Sequence, residues 1–276
     1  MKKFFSIIAI FLLTQFFCFM LIQSAGFPIH ILFLDQKNHS EGYSEGSREV
    51  KPLTPIAVAD VISNEEVPER VLDPNKPMIA LTFDDGPSQN TARILAILDQ
   101  YNAKATFFVV GSRVGTWAEA VGQIVEQGSE IGNHSWSHQN LTRLSLDDIK
   151  YEMQRTNSAA EDLTGVRPVF FRSPYVPANG RMKSAAGEMG MAIIAWSVDP
   201  QDWRTRNADQ IYNAVMSKAY DGSIVICHDL VGQTAAAMER IIPELIDQGY
   251  QLVTISELFA LSGKEPEAGR IYSARP

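Results

Sequence analysis

The chain has 276 residues, is 45% hydrophobic and 20% charged, and carries a formal net charge of −8. That is a globular composition with room for one large domain or two small ones. The acidic balance, with no basic stripe interleaved with aromatics, argues against a nucleic-acid partner, and no feature points to a protein partner.

Met1-Lys2-Lys3 precedes an uncharged apolar stretch from Phe4 to Ile22. Lysines before a long apolar segment mark a secretory signal or an N-terminal membrane anchor with its tail inside. Small residues at Ser24 and Gly26 suit cleavage. The stretch also approaches the ~20 residues that span a bilayer, which favours an uncleaved anchor over residues 1–34. Either way the rest of the chain is exported. Residues 35–76 are polar, rich in Glu, Ser, Gly and Pro, and read as a linker or stalk. Cys18 and Cys227 both lie in apolar runs, so no disulfide framework is expected, and Cys227 reads as a buried strand cysteine.

From residue 77 to 260 short apolar runs alternate with helical patterns, and 261–276 form a tail without a readable motif. Strands are predicted at Met78–Phe83, Ala105–Val110, Glu130–Asn133, Val169–Arg172, Ala192–Val198, Ser223–Cys227 and Gln251–Thr254. Helices are predicted at Asn90–Tyr101, Thr116–Gln127, Ser145–Leu163, Arg181–Met189, Asn207–Lys218 and Thr234–Gln248. This alternation predicts an α/β fold, a parallel sheet of seven strands closed into a distorted barrel. An open doubly wound sheet is the fallback. No glycine-rich dinucleotide fingerprint follows the first strand.

Polar residues with chemical potential cluster where strands end. Thr82-Phe83-Asp84-Asp85-Gly86-Pro87 puts two acids on a turn shaped by Gly86 and Pro87. Adjacent carboxylates repel, and the simplest solution makes one a metal ligand and the other a general base. His134-Ser135-Trp136-Ser137-His138 offers two histidines at i and i+4, which on a helical turn share one face. With one of the acids they complete a three-ligand set that leaves positions for water and substrate. Arg172-Ser173-Pro174-Tyr175 could hold a carboxylate ionised through a bidentate contact. Asp199-Pro200-Gln201-Asp202-Trp203 and His228-Asp229 follow the next strands. Asp199 is the expected partner of His228, fixing its tautomer and raising its pKa. Each cluster alone has a bland reading as a turn, cap or ion pair. All of them lie on the rim where parallel barrels keep their reactive groups.

In order and content these motifs resemble the polysaccharide deacetylases of carbohydrate esterase family 4, the NodB homology domain, over about Pro77 to Leu258. The resemblance implies a divalent metal, usually Zn²⁺ with Co²⁺ or Ni²⁺ as alternatives, and an N-acetylated glycan as substrate. It makes Asp84 the catalytic base, Asp85, His134 and His138 the metal ligands, and His228 the general acid. Arg172 would tune Asp84 and Asp199 would support His228. Tyr175 would offer a backbone N–H to an oxyanion, and Trp203 and Ile226 would line the acetyl pocket. Two positions depart from the family pattern: Ser173 stands where proline is usual and Val176 where glycine is usual. The expected activity is de-N-acetylation of amino sugars in a cell-surface polymer such as peptidoglycan. The alternatives are an O-acetyl esterase on a xylan-like polysaccharide and a catalytically silent glycan-binding module.

Overall fold

The computed structural model describes residues 70–276 apart from 176. The apolar N-terminal segment and most of the polar linker lie outside the described residues. Among the described residues no helix is long and apolar enough to cross a membrane.

Among the described residues eight strands form one sheet: β1 (Met78–Asp84), β2 (Thr106–Val109), β3 (Glu130–Asn133), β4 (Phe170–Phe171), β5 (Ala192–Ile194), β6 (Ile224–His228), β7 (Gln251–Leu252) and β8 (Ile271–Tyr272). Their order is β6-β1-β2-β3-β4-β5-β8, with β7 paired to β1, and every pairing is parallel. Beyond β5 the chain bends and Val198 pairs with Val225 in β6. The Ser197 amide donates to the Ile224 carbonyl at 3.0 Å and the Ile226 amide to Val198 at 3.0 Å. These bonds return the sheet to β6 and give the distorted α/β barrel that the alternating pattern predicts.

Around the sheet lie α1 (Thr91–Gln100), α2 (Gly111–Val114), α3 (Ala118–Glu126), α4 (Leu146–Thr164), α5 (Gly180–Glu188), α6 (Asp202–Thr205), α7 (Ala208–Lys218), α8 (Gly232–Asp247) and α9 (Ile255–Ala260). The short helices α2, α6 and α9 were not among the sequence expectations, because four to six residues carry too little helical period to read. Ser145 caps α4 by accepting the Asp148 amide at 3.1 Å, and Gly165 ends it with φ 73°.

β1 is buried along its whole length because it has helices on one face and the barrel interior on the other. Ile79, Leu81 and Phe83 pack with the helices, whereas Met78 and Ala80 join Phe108, Phe170, Ala192, Ile194 and Ile224 inside the barrel. Side chains on a strand alternate, so residues two further along an inward series rise to the barrel mouth. That rule carries Ala80 to Thr82 and Asp84, Phe170 to Arg172, Ile194 to Trp196, and Ile224 to Ile226 and His228. On β3 the inward position is Gly132, where a Cβ would run into the Phe108 ring; His134 follows two residues later.

The ends of the domain reach past the predicted limits. Arg70 pairs with Glu257 at 2.9 Å, and the Asp73 amide donates to the Gln251 side chain at 2.8 Å. Beyond residue 260, β8 adds to β5 and the Arg275 amide donates to Gly222 at 2.8 Å. A two-residue strand has no period to detect, which is why seven strands were expected rather than eight.

Candidate active site at the barrel mouth

A cavity of about 440 Å³ opens at the C-terminal end of the strands. It is lined by Asp84, Asp85, His134, His138, Ser173, Tyr175, Trp196, Asp199, Trp203, Ile226 and His228. Of the sequence-predicted site residues, only Arg172 is absent from this lining. It is 1% exposed and lies directly behind Asp84.

Arg172 binds Asp84 through a single contact, Nη1 to Oδ1 at 2.7 Å, rather than in the expected bidentate manner. Its remaining donors bridge strands: Nη1 also reaches Thr82 Oγ1 at 2.7 Å, Nε reaches the Ile194 carbonyl at 3.1 Å and Nη2 the Ala195 carbonyl at 3.1 Å. The guanidinium lies 4.1 Å above the Phe108 ring. Burial lowers the Arg172 pKa while the Asp84 charge opposes that shift. The rigid fork needs such spread acceptors, so its geometry orients one oxygen of Asp84 and leaves the other towards the cavity.

Asp85 sits at φ 71°, which turns its side chain away from that of its neighbour and towards the histidines. Asp85 Oδ1 is 2.8 Å from His138 Nε2 and 3.2 Å from His134 Nε2. Burial works to raise the Asp85 pKa, but hydrogen bonds and charge from His134 and His138 outweigh it and hold the carboxyl well below its usual range. One donor atom from each residue lies within 4.8 Å of the others. Tetrahedral ligands about 2.0–2.1 Å from a metal stand about 3.3 Å apart, so the spacing is compatible with a small divalent cation. The outer nitrogens fit as well. His134 Nδ1 donates to the Arg172 carbonyl at 2.8 Å, which fixes the proton there and leaves Nε2 with its lone pair. His138 Nδ1 faces the Tyr175 hydroxyl at 3.1 Å. Asp85, His134 and His138 would hold the metal.

The histidine loop is not the helical turn that the i, i+4 spacing suggests. Residues 134–138 form an irregular loop with Ser135 at φ 63° and His138 at φ 55°, and the two rings are 5.0 Å apart. Side chains outcompete the helical hydrogen bonds. Asn133 Oδ1 accepts the Ser135 amide at 2.9 Å, Ser135 Oγ accepts the His138 amide at 3.1 Å, and Glu152 accepts the amides of Trp136 and Ser137 at 3.0 and 2.8 Å.

On the opposite wall His228 stands beside Asp84 in register on β6. Its carboxylate partner is Asp202, not Asp199. Asp202 Oδ1 accepts His228 Nδ1–H at 2.7 Å, while Oδ2 accepts the His228 amide at 2.7 Å and the Thr234 hydroxyl at 2.6 Å. Asp199 folds onto its own turn, accepting the Gln201 amide at 2.7 Å, and stays at the cavity wall. Gln201 at φ 55° swings the chain so that Asp202, at the start of α6, points inward. Burial works against a charged His228, but the Asp202 hydrogen bond and charge, with Asp84 and Asp85 behind them, push its pKa up to about 9. Nδ1 is occupied, so Nε2 is left for a ligand.

At the rim, Tyr175 is 69% exposed with its ring centroid 4.6 Å from that of His138, and Trp203 is 54% exposed. Ile226 lines the same cavity and is 6% exposed. Ser173 lines the cavity and its hydroxyl contacts Met182 Sδ at 3.1 Å. The sequence reading missed Asp202 as a partner, Trp196 as a lining residue and Glu152 as a loop anchor. The first stands in the quoted Asp199–Trp203 segment; the other two carried no motif signal.

Fold and site together define a parallel α/β barrel with three donors at its C-terminal mouth that could hold a metal. The family model described as "Polysaccharide deacetylase" matches residues 72–194. Peptidoglycan-N-acetylmuramic acid deacetylase PdaC of Bacillus subtilis is 44% identical over 191 residues, 69% of this chain and 40% of that protein. A peptidoglycan-N-acetylglucosamine deacetylase of Bacillus cereus is 38% identical over 190 residues, 67% of this chain and 89% of that protein. Among solved structures, a family 4 acetyl xylan esterase from Clostridium thermocellum in complex with a cobalt ion is 37% identical with a TM-score of 0.68, covering 72% of this chain and 99% of that chain. The chain belongs to the polysaccharide deacetylase family. It spans only about two fifths of the length of PdaC.

Proposed function

We propose that the chain is a metal-dependent hydrolase that removes N-acetyl groups from amino sugars of peptidoglycan or another N-acetylglucosamine polymer. The observation that carries this reading is one cavity holding a three-donor metal set, a free carboxylate oxygen on Asp84 and a carboxylate-backed His228. The peptidoglycan deacetylase relatives support the substrate class.

When bound, a divalent cation, zinc in this proposal, supplies Lewis-acid polarisation of the acetamide carbonyl and of water. Asp84, kept in place by Arg172, accepts a proton from the attacking water. The Tyr175 backbone N–H assists the developing oxyanion. Trp203 and Ile226 enclose the acetyl methyl and exclude bulk water. His228, protonated below about pH 9, gives its Nε2 proton to the departing sugar nitrogen, and Asp202 stabilises the imidazolium until then. Products are acetate and a free amine.

The full chain reconstituted with zinc is expected to release acetate from N-acetylglucosamine oligomers and peptidoglycan, and chelation should stop it. Acetate released only from acetylxylan would reassign the site to an O-acetyl esterase, the reading suggested by the acetyl xylan esterase neighbour. A zinc-loaded protein releasing no acetate from any acetylated glycan would leave a binding module. The lysines and apolar stretch at residues 1–22 support export with retention at the membrane. Recovery of the chain in the cytosolic fraction would overturn that part of the proposal.

A further inference from the structure

Helix α4 grips the loop that carries both metal-binding histidines, and it does so through a side chain outside every motif. Glu152 is 7% exposed. Its Oε2 accepts the backbone amides of Trp136 and Ser137 at 3.0 and 2.8 Å. The Ser137 hydroxyl lies 3.0 Å from both carboxylate oxygens, and Gln139 Nε2 donates to Oε1 at 3.2 Å. A buried carboxylate with that many donors is neutralised by hydrogen bonds rather than by a cation, and such charge-assisted bonds are the strong ones. Among the described residues no basic side chain is paired with it.

The rest of the same helix face continues the grip. Asn133, which opens the loop, donates to the Met153 carbonyl at 2.7 Å and to Asn157 Oδ1 at 2.6 Å. One helical turn from Glu152, the Arg155 guanidinium lies 3.9 Å above the Trp136 ring. The loop needs holding because Ser135 and His138 both take left-handed backbone angles that side-chain-bearing residues avoid. Without an anchor the segment would relax towards the helical turn its sequence allows, and the two Nε2 atoms would lose their common focus on Asp85.

We infer that Glu152 is a positioning residue for metal binding, holding the loop between Asn133 and Gln139 so that His134 and His138 are preorganised before the cation arrives. The inference rests on the metal reading of Asp85, His134 and His138. Outer partners that orient metal ligands are worth about 10–100-fold in affinity.

The test measures the zinc dissociation constant of the full chain by chelator competition, with the thermal midpoint of the metal-free protein recorded alongside. Glu152→Ala is expected to weaken zinc by about tenfold or more. Glu152→Gln keeps one carbonyl oxygen for both amides and should restore most of the affinity, whereas Glu152→Met, which keeps the bulk without an acceptor, should stay as weak as the alanine variant. Should Glu152→Ala fail to fold, Ser137→Ala/Gln139→Ala removes two side-chain donors from the exposed side of the loop. That pair should weaken zinc to a smaller extent with the metal-free midpoint unchanged. Wild-type affinity in folded Glu152→Ala, or in the Ser137/Gln139 pair where Glu152→Ala does not fold, would overturn the role given to Glu152. A wild-type chain that binds no zinc would remove the metal reading itself.

Discussion

Two buried acid–base pairs face each other across the cavity, and they are mounted in opposite senses. In the first, Arg172 is hidden and Asp84 presents an oxygen to the cavity. In the second, Asp202 is fully buried and His228 presents its ring, with 15% of the side chain exposed. The chemistry of each pair is the same, a carboxylate against a nitrogen cation about 2.7 Å away. In the proposed reaction, reversing which member is hidden makes one pair the proton acceptor and the other the proton donor. A guanidinium cannot release its proton, so Arg172 orients Asp84 without competing as an acid. A carboxylate behind imidazole favours the protonated ring, so Asp202 keeps His228 ready to give.

Breaking the cavity-facing member of the first pair should have the largest effect. Asp84→Asn keeps the shape but cannot accept a proton, and kcat for acetate release is expected to fall by about 10³–10⁴. Zinc content should stay the same, because Asp85 and the histidines are untouched. Full activity in that variant would remove Asp84 from its proposed role.

Breaking the hidden member of the second pair should cost less and move a pH limb. His228 has a raised pKa, so its acid form persists until about pH 9 and is lost above that value. A bound cation near the ring pulls in the other direction, placing the alkaline limb of kcat at or below that pH. In Asp202→Asn the main raising contribution is gone and burial, which lowers the pKa, remains. The limb should therefore shift to lower pH, with kcat at the optimum reduced about 10²-fold. A limb that stays put while kcat falls would separate Asp202 from the titration of His228.

A subtler change sharpens the first pair. Arg172→Lys preserves charge but not the planar fork that reaches Thr82, Asp84, Ile194 and Ala195 at once. Activity is expected to drop about tenfold, from misplacement of Asp84 rather than loss of its charge. The smallest effect should come from Thr234→Val, which removes one donor to Asp202 and leaves His228 its partner. A loss of about 1 kcal/mol in unfolding free energy, with little change in the pH limb, would fit that placement.

Much of the site was legible because its residues follow the strands that carry them. The alternation of apolar runs and helical patterns identified every strand of the barrel except β8. The alternating side-chain rule then explains why Asp84, Arg172 and His228 rise to the same mouth. The acid pair, the two histidines and Asp85 as their companion needed only short-range spacing and family resemblance. The misreadings came from choices between near-equivalent residues. Asp199 and Asp202 are three positions apart in one turn, and either carboxylate satisfies the chemical demand of His228. Gln201 in a left-handed conformation decides between them, and a glutamine there gives no warning of it. The histidine loop was read as helical because spacing cannot register a carboxylate arriving from α4.

The family resemblance chose Asp85 for the metal donor set, while the sequence pattern by itself determined the fold class and the strand ends that bear reactive groups. These depend on periodicity and on residues close together in the chain, where local sterics and hydrogen bonding dominate. Only the tertiary structure decided the closure of the barrel through Val198 and Val225, the addition of β8, the pairing of His228 with Asp202 and the hold of Glu152 on the histidine loop. Each of those contacts joins segments far apart in sequence. Which partners meet is then set by the packing of strands and helices around one core, and that packing has no local signature.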